Sequence, residues 1–113
     1  MFLGVGAGAF GAHGLKEYFG RFPELQATYE TAVRYHIYHA LGLFLAAWLA
    51  DKWPGMHTTW AGWLFVAGIF LFAGSLYLLV FTQARWLGMI TPFGGFAFLG
   101  GWVMIFWAAW QRP

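Results

Sequence analysis

The chain has 113 residues, of which 61% are hydrophobic and 9% are charged, against about 25% charged in typical soluble proteins. Ten charged side chains are too few to cover a domain this small, because small domains expose a large surface for their volume. The composition therefore predicts a protein of the lipid bilayer. A formal net charge of only +2 excludes a basic nucleic-acid binder. The absence of cysteine excludes disulfide frameworks, thiol catalysis, iron–sulfur clusters and cysteine-ligated zinc.

The first predicted helix is the apolar run over residues 1–13. Twelve helical residues rise only about 18 Å, which is short of a bilayer's hydrocarbon core. We nevertheless expect a membrane span and not a signal peptide, because no basic leading segment or clear small-x-small cleavage site is present.

Three longer spans are predicted over residues 31–50, 60–81 and 92–110, each close to the roughly 20 residues that a crossing helix needs. The Pro54–Gly55 pair ends the second span. Thr58 or Thr59 is expected to cap the third span, and Thr91 to cap the fourth, with Pro92 at its first helical position.

The predicted fold class is all-α, an integral membrane four-helix bundle that forms one domain over residues 1–113. Its termini lie on one side of the membrane, here named side A, and the opposite side is named side B. Side B carries Lys16, Arg21 and Arg85, against Lys52 and Arg112 on side A. The positive-inside rule therefore favours a cytoplasmic side B.

Small residues recur at helical spacing in three of the spans. Such residues allow helix backbones to approach closely in lipid, although glycine is also simply frequent in membrane helices. The predicted packing residues are Gly4, Gly8 and Gly11 in the first helix, Ala61, Gly68 and Ser75 in the third, and Gly94, Ala97 and Gly101 in the fourth.

The second helix is the most informative, because about 100° per residue divides it into two faces. The face with small residues is predicted to point inward and carries Ala32, Tyr35, His39, Gly42 and Ala46. The opposite face is expected to contact lipid and carries Val33, Ile37, Leu41, Phe44 and Trp48. Glu30 and Arg34, four residues apart, are expected to form an ion pair near the lipid headgroups.

Polar side chains within the spans concentrate in the half of the bundle nearer side B. Side A carries tryptophans typical of interfacial anchors: Trp48, Trp53, Trp60, Trp63, Trp107 and Trp110. The candidate ligand-binding residues are therefore the polar groups of the side-B half, namely His13, Arg34, Tyr35, His39, Ser75, Tyr77 and Thr91.

Three stretches together resemble the domain of unknown function 423 family. They are the segment 8–16 (GAFGAHGLK); residues 31–35 (TAVRY) with 39–41 (HAL); and residues 74–77 (GSLY) with 87–88 (LG), 90–95 (ITPFGG) and 101–102 (GW). The resemblance implies a small four-helix protein of the bacterial inner membrane, related to mitochondrial transmembrane protein 256. It implies no catalytic residue.

No nucleophile lies beside a base, and no carboxylate pair falls inside the spans, so we expect no enzymatic activity and no cofactor. The first hypothesis is an accessory or structural subunit of a larger membrane complex, or a homo-oligomer, in contact with membrane lipids. The second is a module that binds a lipid or quinone headgroup in the polar half-bundle. The third is a haem or metal site at His13 and His39, with His36 as a further ligand. Against the third, these histidines can instead hydrogen-bond across helices.

Overall fold

The computed structural model describes residues 1–111, and the protein is helical with no strand over that range, which confirms the expected all-α fold. The helices are α1 (Phe2–His13), α2 (Lys16–Arg21), α3 (Pro23–Lys52), α4 (Met56–Gly68), α5 (Gly74–Thr82) and α6 (Thr91–Trp110). A π-helical turn, Ile69–Ala73, joins α4 to α5 without a break. A 3₁₀ turn, Arg85–Met89, precedes α6.

Two continuous helical segments are long and apolar enough to cross a membrane, judged by length and composition. They are Met56–Thr82, with 27 residues, and Arg85–Trp110, with 26 residues. They contain the third and fourth predicted spans. The second predicted span lies within α3, which has 30 residues and begins earlier than expected, at Pro23. Proline is favoured at this first helical position because its missing N–H has no intrahelical partner there.

The expected threonine caps were wrong. α4 begins at Met56 after Gly55, so Thr58 lies inside the first turn, where its hydroxyl donates to the carbonyl oxygens of Trp53 and Gly55 at 3.1 and 3.3 Å. α6 likewise begins after Ile90, and Thr91 is its first helical residue. In both cases backbone hydrogen bonds begin the helix before the predicted position, so the threonine is part of the helix and does not cap it.

The core consists of three helical rods. The continuous α4–α5 rod packs against both α3 and α6, and the ring of Phe65 is fully buried among Ala46, Ala61 and Phe98. α1 lies outside this core, along α3. The Cα positions span 54 × 26 × 15 Å, so the bundle is flattened, with α1 at one edge.

All of the predicted packing residues except Ala97 lie at helix contacts or in the core. Gly4 and Gly8 of α1 face Ile37 and Val33 of α3, and a side chain at Gly11 would overlap the ring of Tyr29. In the core, Gly68 faces the ring of Phe98, Gly94 faces the backbone of Phe72, and Gly101 faces Phe65; Ala61 and Ser75 are buried and Ala97 is half-buried.

The expectation that Val33 and Ile37 contact lipid was wrong, because both residues are half-buried under α1. The remainder of that face is exposed as expected, with Leu41 at 54%, Phe44 at 67% and Trp48 at 57%. The periodicity identified a second apolar face on α3 correctly, but α1 covers the part of it that carries Val33 and Ile37.

Candidate functional site

His39 is buried and uses both ring nitrogens. Its Nδ1 lies 2.8 Å from the carbonyl oxygen of Tyr35, one turn earlier on α3. Its Nε2 lies 3.0 Å from the indole nitrogen of Trp102 on α6. A carbonyl can only accept and an indole N–H can only donate, so His39 donates from Nδ1 and accepts at Nε2. This arrangement fixes one neutral tautomer and joins α3 to α6.

Aromatic rings surround this histidine. Phe98 stacks on the imidazole, with ring centroids 3.5 Å apart and planes 9° apart. Phe65 meets it edge-on at 5.3 Å. A metal or haem iron would have to displace one of the two hydrogen bonds and enter this packed stack. His39 therefore acts as an internal cross-link between helices.

Ser75 and Thr91 form a second polar contact, between α5 and α6. Their hydroxyl oxygens are 2.6 Å apart, and Ser75 also donates to the carbonyl oxygen of Phe72 at 3.0 Å. Ser75 is buried. Ser75 and Thr91, both candidate ligand-binding residues, are thus hydrogen-bonded to each other.

His36 and Tyr77 form a third contact, between α3 and α5, with Nδ1 and the phenol oxygen 3.0 Å apart. Tyr29 packs edge-on against Tyr77, with ring centroids 5.6 Å apart, and its hydroxyl donates to the carbonyl oxygen of Ala7 on α1. Tyr29 was not selected from the sequence, although its position one turn before Val33 places it on the face that α1 covers.

The structure does not bring the seven candidate residues into one cavity. His13 and Arg34 are exposed, and Tyr35 is 39% exposed. His13 ends α1 near Tyr29 of α3, since Gly11 contacts that ring. His39 lies ten residues further along α3 than Tyr29, which corresponds to about 15 Å. Among residues 1–111, no cluster of three or more His, Cys, Asp and Glu residues could hold a metal ion.

Glu30 and Arg34 do not form the expected ion pair, and each contacts a different side chain. Glu30 accepts a hydrogen bond from Gln26 at 3.4 Å, and Arg34 donates to the hydroxyl of Thr31 at 3.3 Å. Gln26, Glu30 and Arg34 line a groove of about 500 Å³ on one flank of α1. A larger groove of about 590 Å³ opens on the other flank. A third, of about 430 Å³, lies beside Tyr35 and Trp102.

Over residues 1–111, an all-helical fold with two long apolar helices and internally hydrogen-bonded polar groups is typical of a small helical membrane protein. Residues 7–95 match the family model described as a protein of unknown function, DUF423, and the chain belongs to that family. No solved structure matches the chain.

The relatives carry membrane-protein names. The chain is 57% identical over 110 residues to UPF0382 membrane protein YwdK of Bacillus subtilis, covering 95% of this chain and 86% of that protein. It is 44% identical over 104 residues to UPF0382 membrane protein SH2409 of Staphylococcus haemolyticus, covering 91% and 82% respectively. A Staphylococcus aureus relative, UPF0382 membrane protein SAB0533, is 43% identical over the same length, with the same coverage.

Proposed function

We propose that this protein is a multi-pass, non-catalytic component of the bacterial inner membrane. It acts as an accessory or structural subunit of a larger membrane complex, or assembles with further copies of itself. The observation that carries the proposal is the position of α1, which lies at the edge of the core with grooves on both flanks. An edge helix of this kind offers a surface on which another membrane helix can pack.

The outward side of α1 supports this proposal. Helices associate in lipid through close backbone approach at small residues. Gly4 and Gly11 contact α3, whereas an added side chain at Gly6 would meet nothing within 4 Å. Phe2 and Leu3 are 88% and 72% exposed beside it. α1 therefore has a second, open small-residue position flanked by large apolar side chains.

Cross-linking in native membranes, followed by extraction in mild detergent and native mass spectrometry, tests the proposal. We expect the wild-type chain in a larger complex or homo-oligomer, and we expect Gly6→Leu to reduce that fraction several-fold. Gly20→Leu is the matched control, because Gly20 is equally open but lies on α2, outside the spans. A wild-type chain that is single both in membranes and after extraction would overturn the proposal.

A further inference from the structure

The groove of about 590 Å³ between α1 and the α4–α5 rod, here named the lateral groove, has the character of a small-molecule site. Its volume lies within the range of roughly 300–1,000 Å³ that is usual for ligand pockets, which are mostly apolar with a few polar groups. Its walls include Leu3, Phe10, Ile69 and Phe70, and its polar residues are Tyr29, His36 and Tyr77. A hydrophobic molecule with a small polar end fits this lining.

The His36–Tyr77 pair leaves one hydrogen-bond donor unused. If the Tyr77 hydroxyl donates to Nδ1, then His36 carries its proton on Nε2; if Nδ1 donates, then the phenol proton is unused. The Nε2 atom of His36 is not fully buried, and it has no hydrogen-bond partner among residues 1–111. An unpaired donor inside hydrocarbon is costly because no water is present to satisfy it. The pair is therefore suited to a ligand that accepts a hydrogen bond.

The depth of the pair distinguishes between membrane molecules. His36 lies five residues inside the second span predicted from the sequence, which begins at residue 31, and Tyr77 lies five residues before α5 ends at Thr82. We therefore expect both side chains about 8 Å below the side-B boundary of the hydrocarbon. A phospholipid brings its carbonyl groups to this depth only by pulling a charged headgroup into hydrocarbon, which is unfavourable. An uncharged ring carbonyl enters without that cost.

The wall opposite α1 provides a second observation. Ile69 and Phe70, which line the groove, belong to the π-helical turn, and π turns within α-helices occur frequently at functional sites. We propose that the lateral groove binds an isoprenoid quinone. One ring carbonyl accepts a hydrogen bond from the His36–Tyr77 pair, and the isoprenoid tail lies along the apolar walls.

The test uses the full chain in nanodiscs of defined phospholipid, titrated with a naphthoquinone that carries a short isoprenoid tail. Native mass spectrometry measures quinone and phospholipid retained per chain. We expect one quinone per chain at saturation, with affinity reduced about tenfold in His36→Leu and in Tyr77→Phe, as expected for one lost hydrogen bond at a desolvated site. Tyr35→Phe is the matched control, because Tyr35 lies in a different groove.

Equal quinone affinity in the wild type and both groove variants would overturn this inference, as would a groove that retains only phospholipid. The helical content of His36→Leu and of Tyr77→Phe is measured by circular dichroism. If one variant misfolds, the other still tests the site. Gly6 also lines the lateral groove, so a partner helix on Gly6 and a quinone would occupy the same flank of α1, but the two measurements are separate. A single chain that binds quinone through His36 contradicts only the proposed subunit role, and an oligomer that binds none contradicts only the quinone site.

Discussion

His36 and His39 stand less than one helical turn apart on α3, yet the protein uses them differently. His39 is 4% exposed and bonded at both nitrogens, to Tyr35 and Trp102. His36 is half-buried and bonded only at Nδ1. The difference arises because His39 points into the core between α4 and α6, whereas His36 points to the flank beside α1. The first is a structural link, and the second has capacity left for a ligand.

Replacing Trp102 with phenylalanine tests the structural link. The substitution keeps an aromatic ring but removes the indole N–H that donates a hydrogen bond to His39. Nε2 of His39 is then left without a donor in an apolar interior. We expect unfolding free energy to fall by about 1 kcal/mol, given the modest average strength of interhelical bonds in membranes and the cost of an unpaired group. SDS titration in mixed micelles measures the change.

Trp110→Phe is the control for this measurement, because Trp110 is 73% exposed at the end of α6. A double variant, His39→Phe with Trp102→Phe, completes the comparison by removing both partners. If Trp102→Phe costs no more than Trp110→Phe, the link contributes nothing measurable to stability.

The sequence placed His39 correctly in the interior because Ala32, Gly42 and Ala46 share its face, and all three are buried. It could not identify Trp102 as the partner. That contact depends on the axial register between α3 and α6, which the packing of Phe65 and Phe98 against glycines on neighbouring helices sets. Tyr35 shares the same periodic face but is half-exposed, because α6 leaves a groove beside it.

The contact between α6 and the π-helical turn depends on Gly94. A side chain there would overlap the backbone nitrogen and Cα of Phe72, and backbone atoms cannot rotate away as a side chain can. We expect Gly94→Ala to destabilise the protein by about 2 kcal/mol, in the range of overpacked cores. Thermal unfolding in detergent micelles, followed by circular dichroism, measures the loss.

Gly95→Ala provides a closely matched control, since it makes the same change at the next residue of the same helix. An added Cβ at Gly95 meets nothing within 4 Å, so the better helix propensity of alanine should leave stability unchanged or raise it by up to about 1 kcal/mol. The assigned contact between α6 and the π-helical turn is wrong if the two variants unfold alike.

The long helices follow from hydropathy, but two local features do not. The residues of the π-helical turn, Ile69–Ala73, carry no sequence signal that distinguishes them from the α-helix on either side. The turn lies where the α4–α5 rod packs against both α3 and α6. α2 was missed because Lys16, Glu17 and Arg21 make its segment look like a polar loop. The four-residue spacing of Leu15 and Phe19, both buried, was the available signal.

The flattened shape separates two roles along the molecule. The three core rods join His39 to Trp102 and Ser75 to Thr91 by internal hydrogen bonds, whereas α1 borders both flanking grooves and exposes its apolar side. Assembly and ligand binding are therefore both expected beside α1. Because Gly6 lines the lateral groove, a partner helix packed on Gly6 and a quinone bound in the groove would compete for the same flank of α1.

The four-span arrangement predicts that the turn after α3 and the α1–α3 connection lie on opposite sides of the membrane. Because the chain has no cysteine, single reporters at Asp51 and Gly20, both exposed, can be read without background. Lys16, Arg21 and Arg85 lie on the side of Gly20, so the positive-inside rule places that side in the cytoplasm. In intact spheroplasts, we expect a membrane-impermeant maleimide to label Asp51→Cys and to label Gly20→Cys only after permeabilisation. Labelling of both reporters from the same side would contradict an odd number of crossings between them and, with it, the placement of α3 as a membrane span.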